Sequence, residues 1–143
     1  MGEEELIPIL INTNHPDILL RQLTPENAEP LFKLIDRDRS HLSQFGDNTS
    51  SKYPTVKSVL MSITNNLNPD KLRFGIWYKG VLIGTANLTP EHPLFGGSGV
   101  LGYWIGSAYT GRGIATVTAK ALAAYARERL NWSLLVGWNQ TDS

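Results

Sequence analysis

The sequence predicts an α/β domain built on one mixed, mostly antiparallel sheet with helices on its faces, and three observations carry that prediction. Two apolar, strand-like runs, Phe74 to Tyr78 and Val81 to Leu88, are separated only by Lys79-Gly80, a two-residue glycine loop of the kind that joins antiparallel strands. A third run, Val100 to Ile105, leads into a glycine-dense turn and then a long alanine-rich stretch from about Arg112 to Leu130, which is strand, turn and helix in order. A last short run, Leu134 to Val136, follows that helix. A strand reached through a helical crossover lies parallel to the strand before it.

The elements follow in order along the 143 residues, a length that makes one domain the default. Residues 1–17 read as an N-terminal loose or edge segment, and 18–143 as the domain proper. Ile18 to Leu23 is a short apolar strand. Thr24-Pro25-Glu26 then opens a helix, with a capping threonine, proline at the first helical position and an acid in the first turn. Leu31, Leu34 and Ile35 follow at helical spacing, and Pro30 requires the helix to begin late or bend. Residues 39–54 form a long polar loop. Thr55 caps a second helix, with Val56, Val59, Leu60 and Ile63 on one face, that ends between Asn65 and Asp70. Thr89 to Gly97 reads as a loop broken by Pro90, Pro93 and Gly96-Gly97. The helix from Arg112 presents Ile114, Val117, Ala121 and Tyr125 as one stripe. The order is β, α, α, β, β, β, α, β.

Composition narrows the function classes. Hydrophobic residues at 41% and charged residues at 18% describe an ordinary globular chain. Lysine plus arginine equal aspartate plus glutamate at 13 each, so the charge balance points to neither nucleic acid nor an anionic membrane surface. There are no cysteines, which removes disulfides, thiolate nucleophiles and thiolate metal sites. His15, His41 and His92 lack metal-ligand spacing, so no metal is expected. No apolar run approaches the ~20 residues of a membrane span, and the acidic start MGEEE is unlike a signal peptide. A cytoplasmic location is the expectation.

The glycine region decides the chemistry. Of 13 glycines, seven lie between residues 96 and 113. Unpaired N–H groups and the positive end of the helix dipole make a helix start suited to phosphate, and glycine lets the ligand approach the backbone. Gly97-Ser98-Gly99-Val100-Leu101-Gly102 matches G-x-G-x-x-G, but it precedes a strand instead of opening a helix. Gly106 to Gly111 has P-loop spacing, but Arg112-Gly113 stands where Lys and Ser or Thr are needed.

The third match is Thr110-Gly111-Arg112-Gly113-Ile114-Ala115, which resembles the Q/R-x-x-G-x-G/A signature of the GNAT superfamily of N-acetyltransferases. Leu101 to Gly106 and Tyr109 to Thr116 resemble the branch that contains the RimJ and RimL ribosomal-protein acetyltransferases. Leu20 to Ala28, Phe74 to Trp77 and Leu82 to Leu88 resemble that branch's first strand and helix and its central hairpin. The resemblance covers roughly residues 18 to 139.

The resemblance implies acetyl coenzyme A (acetyl-CoA) as donor and a primary amine as acceptor, either a protein N-terminus or a small molecule. Backbone N–H groups of Thr110, Gly111, Arg112, Gly113, Ile114, Ala115 and Thr116 would hold the pyrophosphate. Trp104, Ile105 and Gly106 would bond the pantetheine arm as a strand does. An N–H at Ile105 would face the charge that develops on the thioester oxygen, a role commonly worth ~3 kcal/mol of barrier. Direct attack needs no covalent enzyme intermediate. Asn139 falls where the family places an asparagine on the cofactor or substrate. Thr110 replaces the usual Gln or Arg, and Val100 stands where the branch often carries a glutamate.

Family members continue with a further helix and two strands, which implies that this chain is short at its C-terminus. A sheet opened there would expose an edge that a partner or a second copy could cover, giving a homodimer. The alternative function is accordingly a non-catalytic relative that binds acyl-CoA or a partner. Glu91 or His92 could deprotonate the acceptor, or both could be a solvated pair beside Pro93. His41 and Asp47 could recognise a cationic acceptor or simply be solvated. Tyr103 and Trp104 read as packing residues, Arg112 as either a phosphate ligand or a surface arginine, and Asn87 as a surface polar group or one facing the acceptor.

Overall fold

A computed structural model describes residues 8–39, 53–64, 71–91 and 97–139. One six-stranded sheet runs in sequence order, β1 (Leu10–Asn12), β2 (Ile18–Gln22), β3 (Leu72–Tyr78), β4 (Val81–Glu91), β5 (Ser98–Ile105) and β6 (Leu134–Asn139). The first five strands are antiparallel to their neighbours, and β6 is parallel to β5. The turn between β3 and β4 has φ of 51° at Lys79 and 82° at Gly80. Positive φ at both positions is the two-residue hairpin turn whose twist matches that of the strands.

The helices divide between the faces. The chain enters α1 (Ala28–Arg37) through a 3-10 turn, Pro25–Asn27. The Asn27 side-chain oxygen accepts the Thr24 N–H at 2.9 Å, which fixes the entry. Pro30 therefore lies in the first turn of α1, where its missing N–H breaks no helical bond. Helix α2 (Val56–Thr64) starts on a reciprocal cap: Ser58 N–H donates to Thr55 Oγ1 and Thr55 N–H to Ser58 Oγ, each at 3.1 Å. Only Val59 of α2 is fully buried; Val56 and Leu60 of the expected stripe are exposed. Both helices pack, through Leu31, Leu34, Ile35 and Val59, on Leu82 and Trp104.

Helix α3 (Ile114–Glu128) covers the opposite face. It buries Ile114, Ala115, Thr118, Leu122 and Ala126, while Val117, Ala121 and Tyr125 flank this stripe half-buried. The inward face is thus rotated from the expected one, because alanine and threonine let the helix approach Phe74, Ile76 and Leu101 closely. The short segment at 10–12 joins the sheet as its edge strand beside β2.

Candidate active site: the β5–α3 turn

Hydrogen-bond alternation locates the site. In an antiparallel pair, successive residues turn their N–H and C=O groups alternately toward and away from the partner strand. Gly106 N–H donates to Ile83 O at 2.7 Å, so residue 106 faces β4. The register pairs Trp104 with Thr85 and Ile105 with Gly84. Trp104 therefore also faces β4, and Ile105 turns its N–H and C=O the other way. Consistent with this, a Cβ on Gly84 would strike the Trp104 carbonyl oxygen. On that outward side, among the described residues, β6 is registered as far as Tyr103 with Asn139. Ile105 lies two residues past that point, with its side chain buried in the α3-side core.

Of the three residues expected to bond the pantetheine arm as a strand does, Trp104, Ile105 and Gly106, only Ile105 presents its backbone away from β4. The Gly106 N–H is taken by Ile83, and its carbonyl accepts the Tyr109 N–H at 2.9 Å. The Trp104 side chain is buried against α1, as a packing residue.

After β5 the chain makes a 3-10 turn, Ser107–Tyr109, and passes in extended form through Thr110. Gly111 and Gly113 then adopt φ of 77° each, a left-handed conformation that residues with a Cβ rarely take. No atom lies within 4 Å of where a Cβ would project from either glycine, so the turn is open on its outer side. Gly113 is the N-cap of α3, its carbonyl accepts the Val117 N–H at 3.2 Å, and no side chain caps the helix. The N–H groups of Ile114, Ala115 and Thr116 form the first helical turn and have no intrahelical acceptor. Arg112 is exposed, with its guanidinium 5.3 Å from the centre of the Tyr109 ring. That stacking holds a cation beside the open turn. The uncapped donors, the dipole and the free approach together fit a pyrophosphate.

The remaining expected residues are distributed as follows. Asn139 ends β6 beside Tyr103, next to the outward edge of Ile105. Glu91 is not in a loop: it ends β4 and pairs with Ser98, at the far end of β5. Seven residues of strand rise separate that end from Ile105, about 24 Å. Glu91 is therefore corrected from candidate base to remote strand residue. His92, and His41 and Asp47 of the long loop, lie outside the described residues. Among the described residues no group of acids and histidines could hold a metal ion, and no helix is long and apolar enough to cross a membrane.

One polar tie at this site was not read from the sequence. Asp38, at the end of α1, is buried and accepts two hydrogen bonds from Ser107, 69 positions away. Nothing local marks it, because its partner comes from the other half of the chain.

Comparison with known proteins agrees with this geometry. The family profile of the acetyltransferase (GNAT) domain matches residues 17–139. YdaF of Bacillus subtilis (strain 168), a suspected ribosomal N-acetyltransferase, is 31% identical over 120 residues, which is 79% of this chain and 63% of that protein. The chain therefore spans less than two thirds of that relative's length. RimL, a ribosomal L7/L12 alpha-N-protein acetyltransferase solved in complex with coenzyme A, superposes with a TM-score of 0.74 at 17% identity, over 85% of this chain and 70% of that one. RimJ of Mycobacterium smegmatis, solved with a coenzyme A disulfide, gives a TM-score of 0.71 at 20% identity, over 89% and 67%. A glycine turn feeding an uncapped helix, an outward strand residue before it and a family match over nearly the whole chain converge, and the chain belongs to the GNAT acetyltransferase family.

Proposed function

We propose that this chain binds acetyl-CoA at the β5–α3 turn and directs acetyl transfer to a primary amine, the N-terminus of a protein being the favoured acceptor. The observation that carries the reading is the outward backbone of Ile105, one strand-end away from the uncapped start of α3. The N–H groups of Gly111 to Thr116, with Arg112 beside them, hold the pyrophosphate. Ile105 bonds the pantetheine arm along the outward edge of β5 and aims its N–H at the thioester oxygen. A backbone donor fixed in a sheet is preorganised, so it stabilises developing negative charge without reorganising. Asn139, across from Tyr103, borders the same edge.

When bound, acetyl-CoA supplies an activated thioester: the neutral amine nitrogen forms a bond to the acetyl carbon, the carbon–sulfur bond breaks, the sulfur departs with the electron pair as coenzyme A thiolate, and the proton lost from the nitrogen passes through solvent to that thiolate. The chain supplies orientation and charge stabilisation to that step and needs no nucleophile of its own, in keeping with the absence of cysteine. The protein N-terminus is favoured because RimL is an alpha-N-protein acetyltransferase of a ribosomal protein. The likeness to YdaF supports a cytoplasmic location on the same reasoning.

Calorimetry with acetyl-CoA, followed by release of free thiol in the presence of peptides with free N-termini and of small amines, tests the reading. Saturable binding with thiol release on a peptide panel supports it. Binding without turnover on any amine supports instead a non-catalytic acyl-CoA-binding relative. Absence of binding overturns both.

A further inference from the structure

We propose that Asp38 is a positioning residue for the coenzyme-binding turn, acting through Ser107. The inference rests on the assignment of that turn to acetyl-CoA.

Asp38 caps the C-terminal end of α1, and its own N–H closes the helix on Leu34 O and Ile35 O. A carboxylate is poorly placed at that end, where the helix dipole is negative. It is nevertheless 3% exposed. Its two oxygens are spent on one residue: Oδ2 accepts the Ser107 N–H at 2.6 Å and Oδ1 accepts the Ser107 hydroxyl at 3.0 Å. Hydrogen bonds to an ionised acceptor are the strong ones, and two on one residue fix direction as well as distance.

The position of Ser107 gives that tie a consequence. Ser107 is two residues beyond Ile105 and begins the 3-10 turn that delivers Thr110 and Gly111. Its carbonyl accepts the Thr110 hydroxyl at 3.2 Å, so the chain of bonds runs from α1 through Ser107 to the edge of the glycine turn. Gly106, between the two, is closely surrounded: a Cβ there would lie 3.1 Å from Ile83 O, 3.2 Å from Leu34 Cδ1 and 3.3 Å from Asp38 Oδ2, each tighter than an ordinary contact. The exit of β5 is thus held from β4 by the Gly106–Ile83 bond and from α1 by Asp38. The glycine turn itself is exposed and makes no such contacts at Gly111 or Gly113. Asp38 supplies the fixed point from which that turn is aimed.

The test compares Asp38→Ala, Asp38→Asn and Ser107→Ala with the unaltered chain, measuring melting temperature, affinity for coenzyme A by calorimetry, and KM for acetyl-CoA and for the acceptor peptide separately. Losing one hydrogen bond to a charged ligand costs about 10- to 100-fold in affinity, so Asp38→Ala, which lets the turn drift from its anchor, is expected to weaken coenzyme A binding by about that factor. The KM for acetyl-CoA rises in step, and the KM for the acceptor stays within about twofold. Asp38→Asn, which keeps an acceptor for the Ser107 N–H, and Ser107→Ala, which keeps that N–H, recover most of the affinity. If Asp38→Ala does not fold, the expected loss is read from Asp38→Leu, which keeps the branched side-chain shape and offers Ser107 no acceptor. Coenzyme A affinity within twofold of the unaltered chain in a folded Asp38→Ala or Asp38→Leu variant, or a parallel rise in both KM values, overturns the proposal while leaving the turn assignment intact. No binding by the unaltered chain overturns the assignment and the inference with it.

Discussion

The two ends of β5 differ in how much of their backbone is already engaged. At the Ser98 end the strand is flanked on both sides: Ser98 is registered with Glu91 on β4 and with Leu134 on β6. The Trp132 ring closes over Gly99, and Ser133 N–H donates to Gly97 O at 2.9 Å. At the Ile105 end the β4 ladder continues to Gly106–Ile83, and among the described residues the β6 register reaches Tyr103 with Asn139. A strand can take a ligand by sheet-like bonding only where one ladder outlasts the other, because an unpaired backbone edge is a template for a further strand-like partner. The closed end supplies stability and the open end supplies recognition, and substitutions at the two ends separate these properties.

The largest effect is expected at the open end. Gly113→Val places a β-branched residue at φ of 77° in a position with no atom within 4 Å of its Cβ. The added carbon meets no clash, so the fold survives with a strain of about 1–2 kcal/mol. The turn, however, must relax, and the side chain stands over the N–H groups that receive the pyrophosphate. Calorimetry should show coenzyme A affinity reduced by roughly 100-fold or more, with melting lowered by only a few degrees. Affinity within tenfold of the unaltered chain places the pyrophosphate elsewhere. A smaller effect of the same kind is expected from Gly106→Ala, whose Cβ meets Ile83 O at 3.1 Å. The neighbours of residue 106 must give by a few tenths of an ångström, which shifts the exit of β5, and the KM for acetyl-CoA should rise about tenfold.

The closed end should answer differently. Trp132 is 9% exposed and packs on Gly99 in the α3-side core. Trp132→Phe leaves a partly filled space costing about 1–3 kcal/mol, which for a chain of this size lowers the melting temperature by roughly 2–10 °C. The KM for acetyl-CoA is expected to stay within about twofold at a temperature where the variant is folded. A selective rise in that KM would show that the two ends are coupled and would weaken the contrast.

The sequence was most legible where a structural requirement is local. Lys79-Gly80 marks its hairpin because two successive positive φ values demand such residues. The parallel placement of β6 followed from the crossover helix. Gly111 and Gly113 marked the turn for the same reason as the hairpin. What was illegible depends on partners distant in the chain. Pro90 reads as a breaker, yet it lies within β4 opposite Gly99. By the alternation that fixes Ile105, the Pro90 nitrogen faces away from β5, toward the β3 side, where the register among the described residues ends at Leu72 with Leu88. A proline is tolerated where no ladder bond is needed. Likewise the Asp38–Ser107 tie joins positions that no periodicity relates, and the choice of Ile105 over Trp104 is set by the register against β4. Strand identity was readable in the chain; strand parity was not.

The smallest effect tests the contrast from the other direction. Glu91 is exposed, pairs with Ser98, and accepts the Ser98 hydroxyl through its backbone carbonyl at 3.4 Å, so its carboxylate has no part in holding the strand. A general base must come within hydrogen-bond reach of the proton it removes, directly or through one water. About 24 Å of strand, seven residues at about 3.4 Å each, separates Glu91 from the outward backbone of Ile105. Glu91→Gln should therefore leave kcat/KM within about twofold and the pH–rate profile unmoved. A tenfold fall, with loss of the acidic limb of that profile, would mean that the acceptor lies along the whole length of β5. Recognition would then not be confined to the Ile105 end of β5, and the contrast between its two ends would fail.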